Sequence, residues 1–122
     1  MRPPGVLGQE DGLAEYIEFH GASGATYRYL APDDRSSIRM AGGYAIVGRG
    51  DDGPVLLYVG VTDDLAEGWR DTWRTAQSQH DDVRVFIHRT VARQARDAEQ
   101  ADIIAAYDPP MNRETANASK SG

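Results

Sequence analysis

Two tyrosines, Tyr44 and Tyr58, each stand in a short apolar run beside glycine, as Gly42-Gly43-Tyr44-Ala45-Ile46-Val47 and Leu57-Tyr58-Val59-Gly60. A phenol there is either half-buried packing or a proton-bearing group, with a glycine that lets backbone come close. Six arginines (70, 74, 84, 89, 93 and 96) lie between residues 69 and 96, against three acids in the same stretch, a local excess of three positive charges. Arg70 and Arg74 are four apart, and Arg89, Arg93 and Arg96 follow at steps of four and three, spacings that share one helix face. Such a face is either solvated and balanced by nearby acids or turned toward an anion. His20, His80 and His88 offer no pair at metal-ligand spacing on one helix, so they read as satisfied or solvent-facing rings. There is no cysteine. Disulfides, thiolate catalysis and cysteine–zinc sites are therefore excluded together.

The elements that must position these groups follow from the patterning. The chain has 122 residues, enough for one domain. Residues 1–13 show prolines, glycines and no periodicity, and read as a flexible lead-in. Glu15–His20 and Thr26–Leu30 alternate across the turn Gly21-Ala22-Ser23-Gly24, the pattern of a hairpin, and the unit 14–40 ends in a polar loop. Gly43–Val47 and Val55–Gly60 read as two further strands joined by the seven turn-type residues 48–54. Thr62-Asp63-Asp64 signals a helix start. Asp64 and Glu67 have capping-box spacing, and Leu65, Trp69 and Trp73 step by four toward an end near Ser78. Val83–His88 reads as a strand. Val91–Tyr107 reads as a second helix with Ala101, Ile104 and Ala105 on its buried face, stopped by Pro109-Pro110. Residues 113–122 are small and polar, a disordered tail by composition. The expected fold is α+β, a small three-stranded antiparallel sheet flanked by helices, with an extra N-terminal β-hairpin.

Gly42-Gly43-Tyr44, then Tyr58-Val59-Gly60-Val61-Thr62-Asp63-Asp64-Leu65, then Asp102 through Pro109-Pro110-Met111-Asn112 resemble the GIY-YIG nuclease superfamily in content, order and spacing. The resemblance covers residues 41–112 and omits the N-terminal hairpin. It implies cleavage of phosphodiesters with one divalent metal, Mg2+ or Mn2+, held by a carboxylate on the last helix. It also implies a first-motif tyrosine that helps activate water, a second that positions the site, and an arginine on the first helix that steadies phosphate charge. The first tyrosine falls on Tyr44 and the second on Tyr58, with Gly43 and Gly60 as structural glycines and Asn112 as the terminal asparagine that ties down the chain.

Two positions depart from the family pattern. The arginine position falls on Gly68, with Arg70 two residues, or about 200° of helix, further on. The metal-ligand position falls on Gln100, which is neutral; Glu99 is adjacent, about 100° around the helix, and would enter the site after a one-residue shift. The expected function is a GIY-YIG-like domain with weak or lost phosphodiesterase activity that binds nucleic acid (DNA or RNA) or another partner. Two alternatives stand beside it. One is an active metal-dependent endonuclease using Glu99 and Arg70 as displaced groups. The other is a protein-interaction module whose N-terminal hairpin offers an edge strand.

Charge and hydropathy bear on these alternatives. Thirteen basic and nineteen acidic residues give a formal charge of −6, which disfavours a chain whose main work is gripping a polyanion. The longest apolar run, Val55–Val61, is far short of the roughly 20 residues that span a bilayer. Met-Arg-Pro-Pro-Gly has no apolar leader segment. The expectation is a cytoplasmic chain with no membrane partner, in which Arg49-Gly50-Asp51 is turn chemistry and the Asn117-Ala118-Ser119 acceptor is silent.

Overall fold

The computed structural model describes residues 6–10, 14–31, 40–51 and 53–113. Six strands, β1 (Val6–Glu10), β2 (Ala14–His20), β3 (Thr26–Leu30), β4 (Gly42–Gly50), β5 (Gly53–Thr62) and β6 (Arg84–Arg89), alternate late in the chain with two helices, α1 (Arg70–Gln79) and α2 (Arg93–Tyr107). The class is α+β. The strands form one antiparallel sheet in the order β1-β2-β3-β6-β4-β5, rather than three strands with a separate hairpin. The junction is narrow. Leu30 on β3 pairs with Ile87 on β6, and the apolar side chains beneath hold the hairpin in line. Alternation marks each strand but carries no information about which free edges meet.

Each face of the sheet buries its own core. Ile17, Phe19, Tyr29, Val47, Val59 and Phe86 pack under Ile103 and Tyr107 of α2. On the opposite face Tyr44, Ile46, Leu57 and Ile87 pack under Leu65, Trp69 and Ala76, with Met111 joining them after α2 ends. The β4–β5 register slips between Ile46 and Val47, so that Ile46 faces Tyr58 and Val47 faces Leu56. Leu57 is the extra residue, and this bulge sends Leu57 and Tyr58 to the same face, toward α1.

Several elements differ from their sequence-based expectation. The lead-in contains β1, whose backbone pairs with β2 from Val6 opposite Glu18 to Glu10 opposite Ala14. Backbone pairing needs no side-chain periodicity, which is why composition concealed it. Residues 1–5, 11–13 and 114–122, and most of the polar loop, lie outside the described residues. The long β4–β5 turn shrinks because Gly48–Gly50 and Gly53–Pro54 join the ladder, leaving Gly50 opposite Gly53, whose φ of 125° only glycine adopts easily.

The first helix starts at Arg70, not near Asp64. Asp64 spends its Oδ1 on the backbone N–H of Ala66 (3.0 Å), and its carbonyl accepts from Gly68 N–H (2.8 Å), closing a turn instead of a capping box. A Cβ at Gly68 would fall on the Thr62 hydroxyl, so this turn has no room for a side chain at 68. α2 buries Arg96, Glu99, Ile103 and Tyr107, while Ala101 and Ala105 are exposed. Two charged residues on the inner face hide the apolar stripe by which such a face is read. Among the described residues no helix is long and apolar enough to cross a membrane.

Candidate functional site

Tyr44 on β4 faces Gly60 on β5, and its ring fills the space a side chain at 60 would take: a Cβ there would lie 2.6 Å from both Cζ and Oη of Tyr44 and 2.7 Å from Cε2 of Tyr58. The two rings stand 5.9 Å apart, tilted by 35°. Across from them α1 presents Thr72, whose Oγ1 lies 3.5 Å from Tyr44 Oη. Beside them opens a cleft of about 280 Å3 lined by Tyr58, Asp71, Thr72, Thr75 and Met111. Burial, followed by the neighbouring Tyr44, pushes the Tyr58 hydroxyl up to about 12. Tyr58 is therefore a protonated hydrogen-bonding group at neutral pH and a poor base.

Val59 lies on the edge strand of the sheet, since among the described residues no strand pairs with β5 on its far side. Side chains satisfy its backbone instead. Asn112 Oδ1 accepts from Val59 N–H (2.9 Å), Asn112 Nδ2 donates to Val59 O (2.9 Å), and Gln100 Nε2 donates to the same carbonyl (3.1 Å). Asn112 and Gln100 thus stand in for a neighbouring strand, as an edge demands.

Glu99, one residue before Gln100, points elsewhere. Its carboxylate is buried, 2.6 Å from His88 Nδ1, and accepts from Thr90 Oγ1 (3.3 Å). Tyr29 joins this cluster: burial, reinforced by the charge and hydrogen bond of Glu99, holds its hydroxyl well above the usual phenol range. The Tyr29 hydroxyl lies 2.9 Å from where a Cβ on Gly43 would stand, so Gly43 makes room for it. His88 is half-buried and faces α2 from β6.

Arg70 lies at the first turn of α1 with Nε 2.8 Å from Glu67 Oε2, close enough for an ion pair but not aligned as a hydrogen bond. Its guanidinium stands 4.9 Å from the Trp69 ring centroid. Arg74 pairs with Asp71 at 3.2 Å, both exposed.

The structure therefore brings Tyr44, Tyr58 and Gly60 together and sets Gly43, Asn112 and Gln100 in packing and edge-closing contacts. Neither Arg70 nor Glu99 lines the tyrosine cleft. Sequence reasoning missed Thr72 and Met111 in the cleft and Tyr29, His88 and Thr90 around Glu99. Helical spacing from Trp69 through Thr72 to Ala76 could have found Thr72; the others meet only in three dimensions.

A hard divalent cation takes free oxygen ligands, carboxylates together with carbonyls and water, and a one-metal site of this kind draws at least one carboxylate from the protein. Among the described residues no three histidine or acidic side chains converge. Among the described residues Asp71 is the cleft's single carboxylate, Glu99 is engaged by its cluster, and Gln100 turns a donor toward a carbonyl. The residues present do not fit such a metal beside the tyrosines. Comparison of the chain with protein-family models, curated proteins and solved structures found no match in any of the three.

Proposed function

We propose that the chain is a GIY-YIG-like domain whose phosphodiesterase activity is weak or lost and which works by binding. The motif order Gly42-Gly43-Tyr44, Tyr58-Val59-Gly60 and Pro109-Pro110-Met111-Asn112 supports the family reading, as does the succession β4, β5, α1, β6, α2. The observation that carries the loss of activity is the position of Glu99: the carboxylate nearest the expected metal position is enclosed by His88, Thr90 and Tyr29, while Gln100 is bound to Val59. Arg70 and Arg74, the cations of α1, are paired with Glu67 and Asp71. That pairing, with a formal charge of −6, favours a protein partner over nucleic acid.

The experiment incubates the pure chain with supercoiled plasmid, single-stranded DNA and RNA in Mg2+ and in Mn2+, and measures DNA binding against salt. No metal-dependent cleavage and weak, salt-sensitive DNA binding are expected. Cleavage that Tyr44→Phe or Glu99→Ala abolishes would overturn the reading in favour of a working nuclease.

A further inference from the structure

Glu99 and His88 form a dyad beside Tyr29 on the α2 side of the sheet, whereas Tyr44 and Tyr58 pack on the α1 side. Glu99 is buried, and His88 keeps 35% of its side chain open. Glu99 Oε1 accepts from His88 Nδ1 at 2.6 Å, and Thr90 Oγ1 donates to Glu99 Oε2 at 3.3 Å. A carboxylate only accepts, so this contact puts the ring proton on Nδ1 and leaves the lone pair on Nε2. The Tyr29 ring packs on the imidazole with centroids 5.3 Å apart and holds it in that orientation. Nε2 has no partner among the described residues.

A carboxylate bonded to one ring nitrogen raises the basicity of the other. It also stands where positive charge develops when Nε2 bonds to an electrophile, and it is already in place before that charge forms. A metal on Nε2 would need further ligands, and among the described residues no three histidine or acidic side chains converge. A phosphoryl group needs only the one nitrogen. His88 lies in the stretch 69–96 with its local excess of three positive charges, and α2 opens five residues later on Arg93, with no acid in its first turn. An anionic donor therefore meets less repulsion here than the overall charge of −6 implies. We propose that His88 is a phosphoryl-accepting histidine, modified at Nε2 by a donor of the phosphoramidate class, with Glu99 as its positioning residue. In the step, the Nε2 lone pair bonds to phosphorus while the bond from phosphorus to the donor's protonated amine breaks. The amine leaves as neutral ammonia with that electron pair, and the ring, now cationic, keeps its Nδ1 proton in the bond to Glu99. The site is independent of the tyrosine cleft and of any family reading.

The test incubates the full chain with potassium phosphoramidate and follows the histidine rings by long-range 1H–15N and 31P–1H NMR. His20 and His80 are more exposed and have no carboxylate partner among the described residues, so access alone would favour them and they serve as references in the same chain. Before reaction His88 should show one tautomer, protonated at Nδ1. It should then gain phosphate at Nε2 about tenfold faster than His20 and His80, as a charge-assisted contact implies. His88→Gln should remove that product signal. Glu99→Gln, its fold confirmed by a dispersed spectrum, should slow His88 about tenfold and leave His20 and His80 unchanged. The ranking and the nitrogen modified are read in the parent chain, so they decide the matter even where Glu99→Gln fails to fold. Phosphate on Nδ1 of His88, His20 or His80 reacting as fast as His88, equal rates in the parent and a folded Glu99→Gln chain, or no reaction at His88 would each overturn the proposal.

Discussion

Glu99 and His88 meet at 2.6 Å through Oε1 and Nδ1, one residue along α2 from a glutamine that reaches the opposite edge of β5. A one-residue step turns a helical side chain by about 100°, so the two neighbours serve different parts of the sheet. Glu99 receives donors from β6 and β3. Gln100 receives none and gives its own to Val59. The pair explains why a carboxylate adjacent in sequence to the expected metal position is not adjacent to the tyrosines in space.

Removing the Glu99 carboxylate should destabilise the fold rather than alter any cation binding. Glu99→Ala leaves the Tyr29 hydroxyl and the His88 and Thr90 donors unpaired in a buried pocket, at a cost of about 2–4 kcal/mol. Glu99→Gln keeps the volume and one acceptor and should cost less. Urea unfolding with an unchanged m-value measures both; a Glu99→Ala midpoint equal to that of the parent would show that the cluster contributes nothing.

A methyl group at residue 60 competes with the Tyr44 ring for the same space. Gly60→Ala should cost about 1–3 kcal/mol by overpacking. Tyr44→Ala vacates that space, so the double variant should be more stable than the sum of the two single losses predicts, by about 1 kcal/mol in a double-mutant cycle. Additive losses would separate the two residues.

Asn112 and Gln100 share one carbonyl unequally. Asn112→Ala strips Val59 N–H of its partner and weakens its carbonyl, for about 1–3 kcal/mol. Gln100→Ala leaves Asn112 on the same carbonyl and should cost about 0.5–1 kcal/mol. The opposite ranking in chemical denaturation would mean that Gln100, not Asn112, closes the β5 edge.

The β2–β3 turn is fastened to α2 by Asp102, which accepts from the Ser23 hydroxyl (2.6 Å), the Ser23 N–H (2.8 Å) and the Tyr27 hydroxyl (2.7 Å). The Ser23 side-chain bond first, then that of Tyr27, lowers the carboxyl below its usual value of 3.8. A carboxyl lowered in the folded state adds stability above its unfolded pKa, and that stability is lost as pH falls through the folded value. Asp102→Asn should therefore flatten the acid limb of the stability curve below about pH 4 and leave the slope near neutrality unchanged. Thermal midpoints measured from pH 2 to pH 7 give the comparison.

The strands are legible because alternation is local: Ile17 and Phe19 point the same way from β2, and Ala45 and Val47 the same way from β4, whatever the rest of the chain does. Leu65, Trp69 and Trp73 likewise announced a packed segment, and all three pack on the α1 side, although Leu65 and Trp69 do so from the turn before α1. The buried face of α2 was misread for an equally physical reason. Arg96 and Glu99 sit inside because their charges are met there, Arg96 by the carbonyls of Thr90 and Val91 and by Asp63, Glu99 by His88 and Thr90. Those partners lie in other elements, and no helical spacing reveals them.

By itself, then, the sequence determined the α+β class, the absence of thiol chemistry and the seven strand-forming and helix-forming segments from residue 14 onward. Each of these depends on residue type or on contacts within a few positions. Tertiary structure alone decided that β3 joins β6, that β1 covers β2, that α1 starts only after Gly68 has packed against Thr62, and that Glu99 turns to His88 while Gln100 closes the edge of β5. These outcomes rest on which free edge, cavity or unpaired donor is nearest after the chain folds, and a neighbour of that kind has no fixed distance along the sequence.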